Sequence, residues 1–275
     1  MNNIGIIGLG RFGKVLVSIL QKGYKIYGYD KQNIDQIPGV ITCGLSEVLK
    51  QKVIFISVPI RSFKSLIQSI APQLNDDVTL IDVCSVKTYP VKIMKKYLSS
   101  KVGIIATHPM FGPDSGKGAW DGLNFMYERV RIGKSAEREK RCDIFVDIFR
   151  KEGCKMVEMT CEEHDRDAAS SQFITHTVGR TLGAMKLSET PIDTKGYQSL
   201  LSLVDNTAND SFELYYGLFL YNPNATEELE RLEKAFDSVK RQLFTKLHQK
   251  LRESLYLGEP MDLSLIHISE PTRPE

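Results

Sequence analysis

The sequence has no cysteine pair spaced as CxxC, no excess of charge of either sign, and no long apolar run. Its five cysteines, Cys43, Cys84, Cys142, Cys154 and Cys161, are scattered and odd in number. That argues against a zinc ribbon or a disulfide framework and fits a reducing compartment. Lys and Arg total 36 against 34 Asp and Glu, a net charge of +2. A field that weak does not imply nucleic acid or an anionic membrane as partner. No apolar run approaches the ~20 residues of a membrane span. Internal repeats and low-complexity tracts are absent too. What remains is an ordinary globular composition, 42% hydrophobic and 25% charged, which excludes wholesale disorder. The first strand-like run follows Met1 almost at once, so no signal or transit peptide is expected within the chain and a cytoplasmic location is.

Apolar runs alternate with amphipathic segments through the N-terminal half. Ile4-Gly5-Ile6-Ile7, Tyr24 to Tyr29, Val53 to Val58, Val78 to Val83 and a run from Ile104 read as strands. Lys14 to Lys22 and Arg61 to Ile70 read as helices. This alternation predicts an α/β fold with a Rossmann-type, doubly wound parallel sheet and right-handed crossovers. Val157-Glu158-Met159 is a candidate last strand. From Cys161 onward the periodicity is helical: Glu162 to Lys186, then Thr194 to Tyr221 with a break near Asn206–Asn209. A third helix starts after Asn224, which suits an N-cap, with Glu227 as its capping-box acid. It carries Leu229, Leu232, Phe236, Val239, Leu243, Leu247, Leu251 and Leu255 at spacings of three and four. That stripe either packs against a second domain and a second subunit or only closes an intrachain core. The expected organisation is a dinucleotide-binding domain over 1–153, an all-helical substrate-binding and dimerisation domain over 154–257, and a disordered, non-native tail over 258–275. Leu263 to Glu275 resembles translated library-adapter sequence, so His267 is left out of every site.

Gly8-Leu9-Gly10-Arg11-Phe12-Gly13 follows the first strand and opens a helix. In that context the glycines permit a tight turn, close approach of a pyrophosphate, and close packing of helix on strand. The helix N-terminus adds free N–H groups for phosphate. Asp30 ends the second strand near the expected ~20-residue offset. A carboxylate there accepts from both ribose hydroxyls of NAD and repels a 2′-phosphate, although a solvated turn acid would look the same. NAD is therefore the expected cofactor, with NADP as the alternative because Lys31 is adjacent. Ser57, Val58 and Pro59 follow the third strand and are placed over the adenosine ribose, unless Pro59 only ends that strand.

Polar residues cluster at four further places: Asp82-Val83-Cys84-Ser85-Val86-Lys87, then Thr107-His108-Pro109-Met110-Phe111-Gly112-Pro113-Asp114-Ser115-Gly116, then Glu163-His164-Asp165-Arg166, then Ser171-Gln172-Phe173-Ile174-Thr175-His176-Thr177-Val178-Gly179-Arg180. With these segments and the stretch from Asn206 to Asn222, the chain resembles the prephenate and arogenate dehydrogenases of tyrosine biosynthesis, most closely those of plants that act on arogenate. The resemblance runs from Ile4 to about Tyr256. It implies oxidation of a cyclohexadienol: hydride leaves ring C4 for a nicotinamide, the C1 carboxylate departs as CO2, and the ring becomes aromatic. It makes His108 the catalytic histidine. A neutral imidazole with an unperturbed pKa of ~6.5 suits uptake of the C4 hydroxyl proton. It makes Ser85 a hydrogen-bonding partner at that hydroxyl. Substrate binding falls by resemblance to Asp114, Gln172, His176, Arg180, Thr207 and Asp210, with Gln172 and His176 one helical turn apart. Plainer roles stay open: a strand-end histidine for His108, a turn serine for Ser85, a core histidine for His176, a surface ion pair for Arg180, a turn residue for Asp114, and a helix cap for Asp210.

Prephenate carries a ketone where arogenate carries an ammonium, and an acid near that group favours arogenate. By resemblance that acid is Asp210, with Thr207 one turn before it. The expected activity is that of an arogenate dehydrogenase. The alternatives are a prephenate dehydrogenase and, from another class, a dinucleotide-sensing protein needing no His108. A β-hydroxyacid or imine-type dehydrogenase is disfavoured because Glu162 to Met185 contains no lysine. Two features depart from the family. No arginine lies between Glu189 and Asn222 to grip the ring carboxylate, which leaves Lys195 or Arg180 for that role. Asp30 stands where plant members, which use NADP, lack an acid. His164, between Glu163 and Asp165, lacks the spacing of a zinc site and reads as part of a charged helix start; no metal is expected. The expected partners are a small-molecule substrate and a second copy of the chain bound through the helical domain. Plant relatives are plastidial, so the plastid stroma replaces the cytoplasm if a transit peptide precedes this sequence.

Overall fold

A strand covered on both faces is apolar along its whole length rather than at alternate residues. Runs of that kind form the middle of a single sheet in the computed structural model, which describes residues 3–112, 120–133, 135–208 and 210–256. The chain runs β1 (Asn3–Ile7), α1 (Arg11–Leu20), β2 (Lys25–Tyr29), β3 (Val40–Thr42), α2 (Leu45–Leu49), β4 (Val53–Ile56), α3 (Ile60–Ile70), β5 (Thr79–Asp82), α4 (Thr88–Tyr97) and β6 (Gly103–Pro109). It continues through β7 (Asn124–Arg131), α5 (Ala136–Lys151) and β8 (Lys155–Glu158). The eight strands are ordered β3-β2-β1-β4-β5-β6-β7-β8. All neighbours are parallel except β6 and β7, which run antiparallel. The doubly wound α/β expectation is met. β7 had no counterpart in the apolar-run reading, because only Phe125, Met126 and Tyr127 of Asn-Phe-Met-Tyr-Glu-Arg-Val-Arg are both apolar and buried.

Helices cover both faces of the sheet. On one face Leu16 and Leu20 of α1 and Phe145 and Phe149 of α5 meet Ile4, Ile6, Phe55 and Phe125. On the other, Val48, Phe63, Ile67 and Met94 meet Ile7, Ile54, Ile56 and Leu80. The chain leaves β1 toward β2 and β3, then crosses back to β4. Winding therefore reverses between β1 and β4, and a crevice opens beyond their carboxyl ends.

Past β8 the structure is helical. α6 (Cys161–Ala168) passes through a π turn at Ala169–Phe173 into α7 (Ile174–Ala184), close to the helix expected over Glu162–Lys186. Thr160 and Glu163 form a reciprocal capping box at its start. α8 (Lys195–Ala208) and α9 (Phe212–Tyr221) are separated where the break was expected, and α10 (Ala225–Tyr256) is a helix of 32 residues. By packing, the chain divides into two compact units, 1–226 and 227–275. The sheet's last strand lies beyond Gly153, and α6 to α9 belong to the same unit as the sheet. In the second unit Phe236, Val239, Leu243 and Phe244 are exposed along α10. The expected tail, 258–275, and Asp114 lie outside the described residues. All five cysteines are free thiols. No helix among the described residues is long and apolar enough to cross a membrane.

Candidate active site

The glycine turn after β1 is fitted to its neighbours at two points and open at a third. Gly8 has φ +95°, and a Cβ there would lie 2.2 Å from the Ser57 carbonyl oxygen. A Cβ on Gly13 would lie 2.2 Å from the Gly8 carbonyl oxygen, so α1 packs directly on the turn. At Gly10 a Cβ would meet nothing within 4 Å. Gly10 is the N-cap of α1 and offers no side chain to cap it, so the Phe12 and Gly13 N–H groups in the first turn suit a ligand's phosphate. Asp30, at the end of β2, accepts the Leu9 N–H at 2.8 Å on one carboxylate oxygen and the Gln32 N–H at 2.9 Å on the other. This fixes the acid beside the turn and leaves acceptor capacity on both oxygens for ribose hydroxyls. The residues present fit a dinucleotide.

A cavity of about 560 Å³ opens beside this cradle, at the carboxyl ends of β1, β4, β5 and β6. Gly10, Arg11 and Phe12 line it, together with Ser57, Val58, Pro59, Cys84, Ser85 and His108. Burial, then Asp82, push the Cys84 thiol up, so it stays protonated and is no nucleophile. His108, next to last in β6, is 3% exposed. Burial first, then His164 and the Lys87 ammonium, hold its pKa well below 6.5, so the ring is neutral. No hydrogen bond joins Ser85 to His108 among the described residues, although both line the cavity.

Behind His108 stands a group that the sequence reading did not anticipate. His108 Nδ1 lies 2.8 Å from His164 Nε2, and His164 Nδ1 lies 2.9 Å from Asp165 Oδ1. Asp165 also accepts the backbone N–H groups of Lys87 at 2.7 Å and Thr88 at 2.8 Å. Burial works against ionisation of Asp165, but hydrogen bonds from His164, Thr88 and Lys87 outweigh it and hold the carboxyl below its usual range. Lys87 is fully buried, its ammonium bonded to Asp82 and, at 2.5 Å, to the Thr107 carbonyl. The reading of Glu163-His164-Asp165 as a charged helix start holds for Glu163, which completes the capping box with Thr160, but His164 and Asp165 face inward. A signal for this was available. Cys161, His164, Asp165 and Ala168 fall at i, i+3, i+4 and i+7, the spacing of a buried helical face. Among the described residues no cluster suits a metal ion.

Gln172, His176, Asp210 and Glu213 line the cavity's far wall. Gln172 Oε1 and His176 Nδ1 are buried without partners. Burial, reinforced by Arg180 and opposed by Asp210, keeps the His176 pKa below 6.5. Its Nε2 stands 3.6 Å from Asp210 Oδ2. The cap of α9 is Ser211, whose hydroxyl accepts the Leu214 N–H, so Asp210 is not the cap. Arg180 does not line the cavity. Its guanidinium donates to the Asp210 carbonyl at 2.7 Å and lies over the Phe212 and Tyr215 rings, so it braces Asp210 from behind. Thr207 does not line it either. It returns its hydroxyl to Leu203 and Val204 and packs on Gly179, where a Cβ would come within 2.4 Å of Thr207 Oγ1. Lys195, the other cation considered for the ring carboxylate, is exposed and also outside the cavity lining.

Comparison with known proteins places the chain among dehydrogenases. Residues 18–158 match the family model for the prephenate dehydrogenase nucleotide-binding domain, and 181–255 match that for the TYRAAT1-like C-terminal domain. Arogenate dehydrogenase 2, chloroplastic, of Arabidopsis thaliana is 45% identical over 264 residues, which are 93% of this chain and 74% of that protein. Arogenate dehydrogenase 1, chloroplastic, of the same plant is 46% identical over 255 residues, 90% of this chain but 40% of that protein. The crystal structure of prephenate dehydrogenase from A. aeolicus, in complex with hydroxyphenyl propionate and NAD+, superposes with a TM-score of 0.68 at 20% identity, covering 93% of this chain and 95% of that one. The Synechocystis arogenate dehydrogenase does so with 0.62 at 19% identity, covering 92% and 97%. These structures establish the fold.

Proposed function

The chain belongs to the prephenate and arogenate dehydrogenase family, and from that premise we propose that it oxidises and decarboxylates arogenate to tyrosine, with release of CO2. The observation that carries this is a neutral imidazole, His108, and a carboxylate-bearing residue, Asp210, lining one cavity beside a dinucleotide cradle. When bound, the nicotinamide supplies the hydride acceptor. The protein does the rest. His108 takes the C4 hydroxyl proton, with Ser85 beside it at the same wall. Asp210 faces the side-chain ammonium of arogenate, an interaction the keto group of prephenate cannot make. Gln172 and His176 offer their unpartnered atoms to the substrate's polar groups.

Asp30 supports NAD over NADP, since its carboxylate would repel a 2′-phosphate. The exposed Phe236, Val239 and Leu243 of α10 support a homodimer through that helix. The plant relatives are chloroplastic; the plastid stroma is the proposed compartment if a leader precedes this sequence, and the cytoplasm otherwise. Steady-state kinetics with arogenate and prephenate, each with NAD and NADP, test the reading. The expected result is the highest kcat/KM for arogenate with NAD. Higher kcat/KM for prephenate would replace the substrate. Dinucleotide binding without turnover of either substrate would leave a sensor instead.

A further inference from the structure

The hydrogen bond between His108 and His164 constrains where the protons on both rings sit. Asp165 Oδ1 accepts from the Lys87 N–H and meets His164 Nδ1, and Asp165 Oδ2 accepts from the Thr88 N–H and, at 2.5 Å, its hydroxyl. An ionised carboxylate only accepts, so His164 Nδ1 must carry the proton and donate. When His164 carries that one proton only, its Nε2 is an acceptor. The nitrogen facing it, His108 Nδ1, must therefore donate. That leaves the lone pair of His108 on Nε2. With the opposite tautomer, Nε2 would hold a proton and could not take one.

We propose that His164 and Asp165 are positioning residues that fix the tautomer and orientation of His108, so that its Nε2 is the basic atom of the site. The assignment rests on His108 being the base of the proposed reaction. The chain of contacts is anchored in the fold. Asp165 is tied to the backbone at the start of α4, and Asn222 Nδ2 donates to its carbonyl at 2.7 Å. His164 and Asp165 are 2% and 0% exposed, so water does not compete for these bonds. When Nε2 takes the hydroxyl proton, the His108 Nδ1–H stays bonded to His164 Nε2, and Asp165 lies behind to steady the new positive charge. No proton leaves the pair and no covalent bond forms within it.

Long-range ¹H–¹⁵N correlation spectra of the free protein test this directly, since only five histidines contribute. The expected spectrum has His108 protonated at Nδ1 and bare at Nε2. His164→Ala should move His108 toward the Nε2–H form and lower kcat on the order of 10–100-fold, with KM little changed. His164→Gln should recover most of that loss, because its carbonyl can accept from His108 and its amide can donate to Asp165. A wild-type His108 protonated at Nε2 would overturn the proposal. So would an unchanged kcat in His164→Ala, or equal losses in the Ala and Gln variants. If His164→Ala fails to bind NAD by calorimetry, the wild-type spectrum and the Gln variant decide. If the wild type turns over neither substrate, the functional reading fails while the spectrum still judges the tautomer.

Discussion

Two imidazoles in the cavity, His108 and His176, are kept neutral mainly by burial, and this links the active site to stability. Their folded pKa values lie below the ~6.5 of an unfolded histidine. The unfolded chain therefore binds more protons as pH falls through that value. Their contribution is complete above pH ~6.5 and is lost below it. Asp165, held low, adds a loss that begins only in the carboxylate range, while Asp82, raised by burial, acts there in the opposite sense. Melting temperature should drop between pH 7 and pH 5, and His176→Gln should flatten that slope; a flat wild-type profile would contradict the burial of neutral rings. At Asp210 the prediction concerns choice of substrate. Asp210→Asn removes a charge-assisted contact worth about 1.5–3 kcal/mol, roughly 10–100-fold. The ratio of kcat/KM for arogenate over prephenate should fall by that factor. An unchanged ratio would remove Asp210 from specificity.

The glycine turn separates two demands that a motif alone runs together. Gly8 is needed by the protein, because its positive φ and the 2.2 Å approach to Ser57 leave no room for a methyl group. The protein's own packing makes no such demand at Gly10, because its Cβ position is empty, and the proposed reason for that glycine is the ligand. Gly8→Ala should lower the melting temperature sharply, with ~1–3 kcal/mol from the backbone conformation alone. Gly10→Ala should melt like the wild type yet bind NAD at least several-fold more weakly by calorimetry. Equal melting of the two variants would refute the distinction. Other elements differ in how far their sequences disclosed them. β4 was legible because burial on both faces makes every residue apolar, and β1 and β5 because their buried interiors are apolar too. β7 was not, because Glu128, Arg129 and Arg131 emerge at its half-covered end. The π turn at Ala169–Phe173 was also hidden. It re-phases the helix by about one residue between the buried face of α6 and the pair Gln172 and His176, and nothing in the local sequence announces it.

At the scale of the molecule, the helix that was legible as an apolar stripe carries exposed Phe236, Val239 and Leu243. Analytical ultracentrifugation should find a dimer, and Leu243→Glu should shift it toward monomer; a monomeric wild type would reject the proposed interface. Removing 259–275 should leave activity and melting temperature unchanged, and a clear loss in either would make that segment part of the protein's working length. The sequence by itself determined the α/β class, the helical continuation and the dinucleotide turn, because each is written in local spacing, whereas the role expected of His108 came from the family resemblance. It also put Gln172 and His176 on one face, which the cavity confirms as a shared wall. The tertiary structure alone decided what stands behind His108. His164 lies 56 positions away in the chain, and Asp165 finds its donors at Lys87 and Thr88, 78 and 77 positions away. It likewise turned Arg180 and Thr207 away from the cavity, into support of Asp210 and of the α7–α8 contact. Periodicity tells which face of a helix is buried, but a hydrogen-bond partner depends on which other element covers that face.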